Sequence, residues 1–102
     1  MDAAGQPPLS LLGRRLPPSF DRRVLVLAPG HTLVYHDAEW RGALVVVEQG
    51  QIELECLDGS RHRFGHGAIL WLDRLPLLAL HNCAHISAVL VAVARRAADA
   101  ER

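Results

Sequence analysis

Lysine is absent from this 102-residue chain, and all eleven of its basic residues are arginine. Eleven acidic residues balance them, so no net field draws the chain to a phosphate backbone, and nucleic acid is not an expected partner. An arginine-only complement reflects coding composition before it reflects function. Cysteine is nearly as scarce. Cys56 and Cys83 are too few for a disulfide scaffold and lack the close spacing of a zinc or redox motif, so both are read as buried free thiols. Long apolar runs are missing too. The longest lies near Ala88 to Ala94, far short of the roughly 20 residues that span a bilayer. The opening stretch, Met1 to Pro8, has neither the basic residues nor the apolar core of a secretory signal. A cytoplasmic protein without a membrane partner is expected.

What the chain does contain is a globular composition, half of it hydrophobic, in a length that allows one domain and one core. Four of the six prolines fall in the first 23 residues, which carry no sustained period and read as an irregular N-terminal arm over 1–23. From Val24 onward, short runs rich in Val, Leu and Ile alternate with turn signals at Pro29-Gly30, Gln49-Gly50, Asp58-Gly59, Gly65 to Gly67 and Asp73 to Pro76. That spacing suits a β-sandwich or barrel over 24–94. Residues 95–102 have the composition of a short C-terminal helix or tail.

Alternation makes the middle of the chain informative. With Gln49-Gly50 as a two-residue turn, a hairpin places Ala43, Val45, Val47, Ile52, Leu54 and Cys56 on one face and Glu48, Gln51, Glu53 and Glu55 on the other. For the next hairpin, a three-residue loop Asp58-Gly59-Ser60 pairs Cys56 with His62, Leu54 with Phe64 and Glu55 with Arg63. A two-residue loop there would set Arg61 and Arg63 on the apolar face. The later strands, 68–72, 77–80 and 86–94, are apolar at both parities and need cover on both sides. The arm, with Leu9, Leu11, Leu12, Leu16 and Phe20, and a homodimer interface are the expected covers.

Two stretches carry a family resemblance. Gly42-Ala-Leu-Val-Val-Val-Glu-Gln-Gly50-Gln-Ile-Glu-Leu54 resembles the strand, glycine turn and strand that close the first cupin motif. Arg63-Phe-Gly-His-Gly67-Ala-Ile-Leu-Trp-Leu72 looks like the turn and strand that open the second. The resemblance implies an all-β, small cupin-like double-stranded β-helix, or jelly-roll barrel, with an inward-facing pocket. It also implies a metal site of three His and one Glu, from which this chain departs. With Gly50 closing the first motif, the Glu position is Ala43, and the His pair falls on His36 and Ala38 or, at shorter spacing, on Asp37 and Glu39. With Gly67 opening the second, Pro becomes Asp73, His becomes Leu78, and Asn82 matches the closing Asn.

Alanine and leucine donate nothing to Zn, Mn or Fe, which need three or four converging donors. No metal or other cofactor is therefore expected, the alternative being a divalent ion held by a rebuilt set of His36, Glu39, His62 and His81. The expected pocket is lined by Tyr35, His36, Trp40, Ala43, Val45, His62, Phe64, Leu78 and His81, with Trp71 as a further aromatic wall or core residue. His62 beside Cys56 is read as structural, since neither an orienting group nor an oxyanion donor is evident. The leading expectation is metal-free binding of a small, partly apolar molecule in the barrel. A metal-dependent isomerase, cyclase or dioxygenase of cupin type and a dimeric accessory protein are the alternatives, so enzyme activity stays open.

Overall fold

Strand-forming residues dominate the computed structural model, which describes residues 16–73 and 75–95. In chain order its elements are β1 (Phe20–Leu27), β2 (Thr32–Val34), α1 (Asp37–Trp40), β3 (Leu44–Gln49), β4 (Gln51–Cys56), β5 (Arg61–Gly65), β6 (Ile69–Trp71), β7 (Leu77–His81) and β8 (Ala88–Arg95). They form two four-stranded sheets, sheet A in the order β1-β8-β3-β6 and sheet B in the order β2-β7-β4-β5. Each pairing is antiparallel. The core lies between them, where Val45, Val47, Leu70 and Leu90 of sheet A meet Ile52, Leu54 and Leu80 of sheet B. An all-β double-sheet fold is thus present, and no helix among the described residues is long and apolar enough to cross a membrane.

The first hairpin is a correction. β3 and β4 do not pair: β3 bonds to β6 and β8, and β4 to β5 and β7. The chain passes from one sheet to the other at Gly50. Alternation could not tell these arrangements apart, because a hairpin and a sheet-to-sheet corner send the same residues inward. Ala43, Val45, Val47, Ile52 and Leu54 are buried, and Cys56 is half-buried against the same core.

The second hairpin has the expected loop length, placed one residue earlier. Cys56 closes it against Ser60, its N–H donating to the Ser60 carbonyl at 2.8 Å. Ile52 then faces Phe64, Glu53 faces Arg63, Leu54 faces His62 and Glu55 faces Arg61. The loop is Leu57-Asp58-Gly59, with Gly59 at φ 91°, the left-handed position that a three-residue hairpin requires. The register moves by two residues, so every side chain keeps its face.

The middle of sheet A, β8 and the Leu44–Val47 part of β3, is apolar on both sides, as the unbroken apolar run of β8 requires. Val24, Val91, Val46 and Ile69 form one cross-strand row on its outward side. Val46 and Val91 are fully buried there with Val93 against them, while Val24, Val26, Ile69 and Trp71 are exposed. Trp71 is therefore neither core nor pocket wall, because it faces outward on the edge strand. Sheet B instead turns outward a ladder of Glu53, Glu55, Arg61 and Arg63, with Arg61 and Arg63 on Glu53 at 3.1 and 3.4 Å and Arg61 on Glu55 at 3.5 Å. Cys83 is exposed, against expectation, because it lies in the turn between β7 and β8.

Strand β1 starts at Phe20, inside the stretch expected to be an arm. The expected packing of residues 1–15, and a helix or tail over 96–102, lie outside the described residues.

Candidate functional site

β1 builds one wall of a hollow. Arg23 stands opposite Ala92, which stands opposite the buried Val45, and Asp21 stands opposite Ala94. Residues directly opposite share a face, so Asp21 and Arg23 have the inward parity of Leu25 and Leu27, which pack on the core. The inward side of β1 is thus charged where the strand begins and apolar where it ends. Beside Leu25 the inward residues of β8 and β3 are Leu90 and Val47, whereas beside Arg23 and Asp21 β8 offers only Ala92 and Ala94. The result is a hollow of about 210 Å³ lined by Asp21, Arg23, Glu39, Ala43, Ala92 and Ala94.

The one-turn helix α1 closes this end, carrying Glu39 to the rim and burying Trp40 completely. Arg23 is held in place twice. Its Nη2 donates to the Glu39 carbonyl at 3.0 Å, and its guanidinium lies 5.0 Å from the centroid of the Trp40 ring, within cation–π range. Tyr35 stacks on the other part of this wall, 6.4 Å from Trp40 at an interplanar angle of 20°. Its hydroxyl donates to Asp37 at 3.3 Å. Burial first, then the Asp37 charge, raises the Tyr35 phenol above its ordinary value. Among the described residues, Trp40 Nε1 is the buried side-chain polar atom without a hydrogen-bond partner.

A second hollow of about 430 Å³ lies at the Gly50 end, bounded by Gly50, Gln51, Gly65, His66, Ala84 and Ile86. It is larger, but its walls are glycine, alanine, the half-buried Gln51 and the exposed His66 and Ile86, with no Asp, Glu or Arg among them. The mouth at Arg23 is chemically the better furnished of the two.

Of the expected pocket residues, Tyr35, Trp40 and Ala43 come together at this end. Val45 is core, and Phe64 is half-buried against it. His36 and His62 are exposed, and so is Leu78. His62 keeps the parity of Leu54, but β5 is an edge strand and leaves it in solvent. Cys56 faces Ser60, so the expected Cys56–His62 pair does not form. His81 alternates with the buried Leu80 and points the other way, bonded to Thr32 and Glu55. His36, Glu39, His62 and His81 are therefore not brought together, and no group of three His, Cys, Asp or Glu among the described residues is arranged to hold a metal ion. With Ala43 and Leu78 in the ligand positions, the residues present do not fit a cupin metal centre.

Asp21 and Arg23 were missed. Their signal was the alternation Asp21, Arg23, Leu25, Leu27, hidden because two charged members at its start read as part of an arm.

No family model and no curated protein matches the chain. Solved structures do resemble it. A Cupin 2 conserved barrel domain protein from Salinispora arenicola CNS-205 is 22% identical, with a TM-score of 0.63 over 83% of this chain and 72% of that one. The cupin domain of Schizosaccharomyces pombe Cnp3 is 16% identical, with a TM-score of 0.64 over 87% of this chain and 61% of that one. ToxT from Vibrio cholerae O395, bound to (E)-4-(8-methylnaphthalen-1-yl)but-3-enoic acid, is 10% identical, with a TM-score of 0.64 over 78% of this chain and 32% of that one. At these identities the likeness is one of fold. Two facing four-stranded antiparallel sheets, a glycine corner between β3 and β4, and these structural neighbours together make the chain a cupin barrel in fold.

Proposed function

We infer that this barrel binds a small, partly apolar monocarboxylate at the Arg23 mouth, without a metal ion. The observation that carries the reading is the alanine floor of Ala43, Ala92 and Ala94 beneath a guanidinium already held by Trp40 and the Glu39 carbonyl. A preorganised guanidinium binds a carboxylate at little further entropic cost. The alanines leave room for hydrocarbon, and a volume of about 210 Å³ matches about seven waters, hence a short-chain acid. Asp21 and Glu39 on the same rim repel in proportion to ligand charge, so a monoanion paired with Arg23 is favoured over a dianion or a phosphate. ToxT, similar in fold, is bound to an apolar carboxylic acid, which supports the same ligand class here. The scattered donors at His36, Glu39, His62 and His81 do not support the metal-enzyme alternative.

Thermal-shift titration tests this with isovalerate and hexanoate against the matching alkylamines and divalent cations. The acids are expected to raise the melting temperature, amines and metals to leave it unchanged, and Arg23→Gln to weaken acid binding by about tenfold or more. Equal response in Arg23→Gln, or no saturable response to either acid by NMR at millimolar concentration, overturns the reading.

The protein acts as a homodimer in this proposal, using the exposed Val24, Val26, Ile69 and Trp71 of sheet A. Sedimentation equilibrium showing monomer at high micromolar concentration would remove that part. Its proposed setting is the cytoplasm, where an exposed free thiol such as Cys83 stays reduced.

A further inference from the structure

A hydrogen-bonded string crosses the outward face of sheet B, away from the mouth. Thr32 on β2 faces His81 on β7, and His81 faces Glu53 on β4, with Glu55 the next outward residue of that strand. Thr32 Oγ1 lies 2.7 Å from His81 Nδ1. His81 Nε2 lies 2.7 Å from Glu55 Oε1. Arg61 reaches the same Glu55 oxygen at 3.5 Å and is itself anchored on Glu53 at 3.1 Å.

The direction of these bonds follows from donor and acceptor capacity. An ionised carboxylate only accepts, so His81 Nε2 carries a proton and donates it to Glu55. In the neutral ring Nδ1 then holds a lone pair, and the Thr32 hydroxyl donates to it. Hydroxyl to imidazole to carboxylate is the polarity of a base-activated nucleophile. Exposure divides along the same line. The His81 side chain is only 15% exposed, which protects its geometry, whereas Thr32 is exposed and its oxygen is open to a reagent.

We propose that Thr32 is an acyl-acceptor site that takes an acyl group from an activated ester or thioester, with His81 as its base and Glu55 as a positioning residue. Thr32 Oγ1 forms a bond to the acyl carbonyl carbon as its proton passes to His81 Nδ1. The bond from that carbon to the leaving oxygen or sulfur breaks, and the leaving group departs with the electron pair. The His81 proton then goes to the leaving group or to water. No oxidant or metal enters the step. None of the three residues lines the Arg23 mouth, so this site and the binding reading stand or fall separately.

The test uses the full chain carrying Cys83→Ser, because the exposed Cys83 thiol would consume the reagent. Incubation with p-nitrophenyl acetate near neutral pH is followed by peptide mass mapping and by p-nitrophenol release. One acetyl group is expected on Thr32. Thr32→Val removes it, His81→Gln slows it by about 100-fold, in the range of a lost general base, and Thr32→Ser accelerates it by relieving the crowding of the β-methyl. Glu55→Gln, which can still accept from Nε2, is expected to slow acetylation while lowering the melting temperature no more than Glu53→Gln does. An acetylation rate in folded His81→Gln equal to that of the parent overturns the proposal, as does acetyl confined to the N-terminal amine or other side chains. Should His81→Gln fail to fold, Thr32→Ser decides: no gain in its rate of acetylation at residue 32 is equally fatal.

Discussion

Gly50 sits against the backbone of Ser87 so closely that a β-carbon on Gly50 would stand 2.7 Å from the Ser87 carbonyl oxygen. The same glycine adopts φ 73°, a left-handed conformation that costs a side-chain-bearing residue of order 1 kcal/mol or more. Both constraints arise because this is the corner where the chain leaves sheet A for sheet B.

Gly50→Ala is therefore expected to destabilise the protein by about 2–4 kcal/mol, combining backbone strain with a clash against atoms that cannot rotate away. Gly59→Ala meets φ 91° but open space and is expected to cost about 1 kcal/mol. Urea denaturation of the two variants gives the comparison. Equal losses would mean that the Ser87 contact contributes nothing.

Asn82 ties three segments together from a buried position. Its Nδ2 donates to the Leu27 and Ile86 carbonyls at 2.9 and 2.8 Å, and its Oδ1 accepts from the Ala84 N–H at 3.0 Å. Asn82→Ala leaves these backbone groups unpaired and is expected to cost about 2–3 kcal/mol. Asn82→Asp can replace only the accepted bond and should be no better. A melting temperature within a degree of the parent for either variant would show that water replaces the side chain freely.

The ladder on sheet B predicts an acid-sensitive component of stability. The hydrogen bond from Arg61, joined by Arg63, holds the Glu53 carboxyl below its ordinary value. A carboxyl depressed in the folded state contributes stability above its unfolded pKa, and that contribution is lost as pH falls through the folded value. Glu53→Gln is expected to lower stability slightly at neutral pH and to flatten its decline through the carboxylate range. Added salt should reduce the parent's advantage, since the ladder is solvent-facing. Denaturation midpoints stepped downward in pH provide the measurement, and parallel curves for parent and variant would rule out this contribution.

Filling the mouth separates binding from folding. Ala94 is only partly buried at the floor of the hollow, so Ala94→Leu is expected to abolish the thermal response to short-chain acids while changing stability by less than about 1 kcal/mol. An undiminished response would place the ligand elsewhere, the hollow at the Gly50 end being one candidate among the described residues.

The inward set Val45, Val47, Ile52 and Leu54 and the glycine turns were legible in the amino-acid order, because strand alternation and left-handed turn positions are local properties. Pairing was not. Alternation is identical whether β4 folds back onto β3 or crosses to the opposite sheet, and a register shift of two residues leaves every face unchanged. Arg23 became a mouth residue only because β1 pairs with β8 and so acquires the inward parity of Ala92. His81 was expected in the pocket and lies outside it, because its direction depends on which neighbour, Leu80, the core claims. The chain by itself determined an all-β barrel with a greasy lining, and Ala43 and Leu78 where the cupin motifs carry ligands. Only the tertiary structure decided which strands meet, and with them which charged side chains stand together, since those contacts join residues distant in sequence and are set by how the two sheets close.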